Sequence, residues 1–222
     1  YVDEPGWCRR NLFEYNRENI TAPAIRIKEW DFYQVSDGRY LVQMTITNIS
    51  MGDGATIDVI DMLTGKQILS AMKVELMTVD KNPMPRNGDQ PNTVQRDFKD
   101  FFHMKFDYDG KVRHLTASGT ALIPAGKKFD IDLCLDVMPD LESITIALPW
   151  EQKDAPGAGK LKNRFFLTDK IDSMPVSGHV RVGNTDIEFD PEKAVGVLDW
   201  GRGVWAHDNH WVWANGGGYL PD

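Results

Sequence analysis

The stretch "KFDIDLCLDVM" restricts the fold more than any other part of the chain. Phe129, Ile131, Leu133, Leu135 and Val137 share one phase of a two-residue period, with Asp130, Asp132, Cys134 and Asp136 in the other. A strand with one buried and one wet face produces that rhythm, and a helix cannot. "RYLVQMTIT" repeats it, and "TIDVIDM", "FFHMKFDY", "SITIAL", "RFFLTDK", "HVRV" and "DIEF" are further candidates. Turn chemistry lies between alternating runs at Asp37-Gly38, Thr64-Gly65-Lys66, Asp109-Gly110 and Gly183-Asn184, as hairpins require. No amphipathic helix of three turns is evident, and "VQRDFKDFF" is expected to make one helical turn at most.

The chain is therefore expected to be all-β and antiparallel, with strands that close or stack to hide their edges. With 222 residues it is long enough to bury a substantial core. Two loops stand out, at 80–93 with three prolines and at 151–163, rich in glycine, proline and charge.

A net charge of −8 disfavours nucleic acid or an anionic membrane surface as a partner. No run of about eighteen apolar residues exists to span a bilayer. Cys8 and Cys134 form no metal-type spacing; they could bridge, but are read as unrelated thiols of a reducing, cytoplasmic compartment. His207 and His210 in "HDNH" would face opposite ways on a strand, so no metal is expected. Walker, GxGxxG, HExxH and GxSxG signatures are absent, and no cofactor is expected.

Four of the seven tryptophans lie in "LDWGRGVWAHDNHWVWANGGG". Trp211 and Trp213, two apart, would share a strand face. Gly201 and Gly203 would let the backbone turn or let a ring lie flat on it. Arg202 can stack on an indole and pair with Asp199. One reading is a floor plug of a small barrel, with an arginine over a tryptophan. Another is an aromatic pocket, in which Asp199, Arg202 and His210 would be catalytic and Trp200, Trp205, His207, Trp211 and Trp213 would bind ligand. A third is a contact surface for a second domain or partner chain. Trp30, Phe32, Tyr33 and Tyr40 are read as core or pairing residues.

The blocks "GWCRRNLFEYNREN", "IKEWDFY", "RFFLTDKIDSMPVSGHVRVG" and "FDPEKAVGVLDWGRGVWAHDNHWVWANGGG" resemble the domain-of-unknown-function 2804 family over nearly the whole chain. The resemblance implies an architecture like that of lipocalin-like, two-barrel carotenoid hydratases and tocopherol cyclases. It implies a calycin-type barrel or strongly bent sheet, with an apolar cavity for a hydrophobic small molecule. It also implies acid-assisted hydration, cyclisation or isomerisation, with non-catalytic binding as the alternative. Residues 1–222 are expected to form a single lipocalin-like domain. Family members continue past the tryptophan motif, so a second barrel would begin near 198–222.

Overall fold

The structure is a computed structural model and describes residues 2, 5–49, 51–78, 81–149, 164–206 and 210–219. The described residues form thirteen strands. In chain order these are β1 (Gly6–Cys8), β2 (Lys28–Ser36), β3 (Tyr40–Ile49), β4 (Gly52–Asp61), β5 (Lys66–Leu76), β6 (Asn92–Asp97) and β7 (Phe102–Tyr108). There follow β8 (Val112–Thr120), β9 (Lys128–Asp136), β10 (Ser143–Pro149), β11 (Phe165–Val182), β12 (Thr185–Phe189) and β13 (Val195–Val204). All pairings are antiparallel, in the order β5-β4-β3-β2-β13-β11-β9-β8-β7-β6. The sheet curls strongly into a half-barrel.

Each hairpin turn sits where its residues require. Asp37 Oδ1 accepts from the backbone N–H groups of Arg39 and Tyr40, and Asp109 Oδ1 does the same for Lys111 and Val112. "RFFLTDK" and "HVRV", read as separate runs, belong to one long strand. β11 shifts register between Ile171 and Met174, where Ser173 takes a φ of 62°. Its first half lies between β10 and β13, and its second half between β9 and β12. Such a bulge lets one strand serve two directions of the curl.

"VQRD" is not helical. Val94 and Arg96 alternate inward along β6 because β7 supplies a ladder, and tertiary pairing overrides local helix preference. Arg96 reaches Asp53 on β4 at 3.3 Å, and Ser70 of β5 bridges Ile123, so the two ends of the sheet are drawn together. The concave face holds the core, including Met44, Ile57, Leu69, Leu115, Ile131 and Leu133. No helix among the described residues is long and apolar enough to cross a membrane.

Candidate functional site

β13 carries the tryptophan motif through the middle of the sheet, and all ten of its residues are buried. It lies between β2 and β11, with Leu198 opposite Tyr33, Trp200 opposite Asp31 and Arg202 opposite Glu29. Alternation along the strand separates Asp199 from Arg202, three positions on. The expected Asp199–Arg202 pair is therefore not formed, and each ion has a different partner. The indoles are divided in the same way, Trp200 inside the curl and Trp205 and Trp213 outside, so they do not wall a single hollow.

On the convex face Asp199 is surrounded by donors. Lys170 Nζ lies 2.5 Å from Oδ2, and Trp213 Nε1 donates to the same oxygen at 2.6 Å. Trp30 Nε1 and Thr168 Oγ1 donate to Oδ1 at 3.4 Å. These donors engage both oxygens of the Asp199 carboxyl. Trp30 lies flat across Gly201, where a Cβ would come within 2.2 Å of its ring. Trp205 packs on Trp30 and Phe166, and Trp213 meets Phe32 edge-on. These contacts lay Trp205 and Trp213 along the outside of the sheet.

Residues 210–219 form no strand, so Trp211 and Trp213 share no ladder face, and Trp211 is 68% exposed. His210 is also exposed, and His207 lies outside the described residues.

On the concave face Arg202 is fully buried. Its guanidinium stacks 4.2 Å from the Trp200 ring, donates to Asp31 Oδ1 at 2.7 Å and donates twice to the Pro85 carbonyl. This is the plug geometry, an arginine over a tryptophan. Next to it Glu29 accepts from the Tyr15 hydroxyl and from Arg17, both at 2.7 Å. Burial, and then the Glu29 carboxylate, push the Tyr15 phenol upward. The proline-rich loop folds into the mouth of the curl and is held by its carbonyls. Besides the Pro85 contact, Gly88 accepts from buried Arg113 at 2.6 Å, and Arg113 stacks on Tyr108 at 3.9 Å.

Gly88 lies where two further side chains meet. A Cβ there would lie 3.3 Å from Trp200 Cγ and 3.5 Å from Asp169 Oδ2. Asp169, on β11 opposite Trp200, is completely buried. Thr145 Oγ1 donates to its Oδ1 at 2.8 Å, while Oδ2 and Trp200 Nε1 are buried without a hydrogen-bond partner among the described residues. Burial first, and the adjacent Asp89 carboxylate second, push Asp169 up to about 7. Both causes disfavour the ionised form of Asp169, so its carboxyl keeps its proton to a higher pH than an ordinary aspartate.

Asp169 is not among the expected site residues, although its position in the chain carries a signal. In "RFFLTDKI" it falls in phase with Phe165, Leu167 and Ile171, a carboxyl on an apolar strand face.

Comparison with known proteins adds a family but no activity. No curated protein matches the sequence. A crystal structure provisionally described as AttH, from Nitrosomonas europaea, is similar with 15% identity and a TM-score of 0.48. The match covers 88% of this chain and 57% of that one, so this chain spans less than two thirds of its length. The family model for the domain of unknown function DUF2804 matches residues 1–222, and the chain belongs to that family.

Proposed function

We propose that the chain binds a lipophilic small molecule inside the curled sheet and that Asp169 exchanges a proton with it. One observation carries this reading: Asp169 Oδ2 and Trp200 Nε1, two buried polar atoms without a hydrogen-bond partner among the described residues, flank Gly88, and the Asp169 carboxyl is raised to about 7. Buried polar groups in proteins are almost always paired, and a buried acid tuned near neutrality suits general acid–base work. The proton donor thus moves from Asp199 and His210 to Asp169.

Main-chain carbonyls hold the 83–89 loop to Arg202 and Arg113, and a ligand carbonyl or carboxylate could accept the same hydrogen bonds. Displacing that loop would bare Asp169 and Trp200 together. The ligand class is therefore an apolar body carrying one oxygen acceptor.

Native purification followed by mass spectrometry of extracted small molecules identifies the ligand, which is then offered to the parent and two variants. Asp169→Asn should lower its conversion by roughly a hundredfold or more, the usual scale for a general acid. Asp199→Asn should leave the rate unchanged. Equal rates for Asp169→Asn and the parent would remove the acid role. Recovery of an unaltered ligand from the parent would leave binding without chemistry.

A contact surface is the second reading. Trp7 at 68% and Ile144 at 53% exposure stand on the outer side of the β1–β10 edge, which suits a second domain or partner chain. Sedimentation of the parent and Trp7→Ser at several concentrations tests it, and identical monomers in both would rule out self-association through this edge.

A further inference from the structure

We infer that the convex face of β8 and β9 carries a binding site for a borderline-soft divalent cation of the zinc class, formed by His114, Asp132 and Cys134. The inference is independent of the chemistry at Asp169. These residues are far apart in sequence, and the strand ladder assembles them. His114 on β8 is registered directly against Cys134 on β9, and Asp132 lies one side-chain position along the same face. The ligating atoms of all three are within 4.8 Å of one another, with His114 Nε2 2.8 Å from Asp132 Oδ1.

The donor set matches the chemistry of such an ion. One imidazole, one carboxylate and one thiolate are the ligand types that zinc takes at about 2.0–2.3 Å. Ligand atoms around a tetrahedral ion are then separated by about 3.3–3.8 Å. The present trio, all within 4.8 Å of one another, brackets that spacing, and the strand ladder fixes the backbone positions of its members. All three side chains are half-buried, which excludes some water while leaving an entry path.

The surroundings favour a cation. Asp130 and Asp136 extend the carboxylate face of β9 on either side, and neither is needed as a ligand. On the other flank, His179 of β11 faces Asp132 in the ladder and sits 2.8 Å from Asp130 Oδ1. That second His–Asp pair braces the face in the way outer-sphere partners orient ligands. Asp130 and Asp132 also line a groove of about 220 Å³ with Thr116, Ser118 and His103. Three protein ligands would leave a fourth position for water or a small anion. Binding converts the Cys134 thiol to a thiolate and releases its proton to solvent.

Cobalt(II), a spectroscopic stand-in for zinc, tests the site on the full chain. The parent should bind one equivalent and develop a near-ultraviolet thiolate-to-cobalt band together with intense visible bands of a four-coordinate ion. Cys134→Ser should lose the thiolate band, whereas Cys8→Ser should keep it. In zinc competition against a chromogenic chelator, Cys134→Ser and His114→Ala should each weaken binding by roughly tenfold or more, the scale seen when even a supporting residue is removed. Both substitutions fall on the convex sheet face, and an unchanged melting temperature in metal-free buffer verifies the fold. No thiolate band in the parent, persistence of the band in Cys134→Ser, or parent-like zinc affinity in His114→Ala would overturn the inference.

Discussion

Asp199 and Arg202, three residues apart in β13, point to opposite faces of the sheet and pair with Lys170 and Asp31 respectively. The two ions perform separate tasks. Asp199 fastens Trp213 to the convex face, and Arg202 holds the proline-rich loop in the mouth of the curl. Removing either should have consequences that are local to its own face.

Asp199→Ala removes the acceptor of two indole N–H groups and the counterion of a half-buried ammonium. A hydrogen bond to a charged group contributes about 1.5–3 kcal/mol, so stability should fall by about 2–3 kcal/mol. Denaturant titration measures the loss. Trp213 should become more solvent-exposed, shifting the tryptophan emission to longer wavelength.

Arg202→Met should be the more damaging change, because Asp31 would remain buried and uncompensated. The expected cost is about 3–5 kcal/mol, the range for breaking a buried ion pair from one side. The double variant Arg202→Met with Asp31→Leu should recover a large part of that loss. Equal stability of the single and double variants would show that the loop contact at Pro85, rather than the ion pair, sets the cost.

Asp169 predicts a pH dependence with a definite sign. Its folded value is raised to about 7 from an ordinary value near 4, so the folded state binds more protons in between. Stability contributed by this group is fully present below about pH 4 and is lost as the pH rises through about 7. Asp107, Asp109 and Asp190 are shifted down by hydrogen bonds and oppose this trend. The informative quantity is therefore the difference between parent and Asp169→Asn, which should shrink in magnitude or reverse as the pH rises from 4 to 8. A difference independent of pH would mean that Asp169 is ionised throughout.

Gly201→Ala should place a methyl group 2.2 Å from Trp30, which cannot retreat without leaving Trp205. Overpacking of this kind costs about 1–3 kcal/mol. The fold should survive, with near-ultraviolet circular dichroism altered by the displaced indole.

Alternation and turn residues determined the β architecture. "KFDIDLCLDVM" and "RYLVQMTIT" became β9 and β3 with the expected residues inside, because a strand exposes its two faces with period two. The same period shows which residues share a face without showing which face meets the core. In "KEWDFYQV" the large aromatics Trp30 and Phe32 went outside, while Glu29 and Asp31 went inside with Tyr33 and Val35. The charges could be buried because Tyr15, Arg17 and Arg202 arrive from elsewhere in the chain to meet them. Register brought His114 to Cys134, and the loop delivered Asp89 to Asp169. Local sequence carries the rhythm of each strand, whereas the identity of a neighbour across a ladder follows from closing the whole sheet, a long-range balance of burial and pairing that no single segment contains.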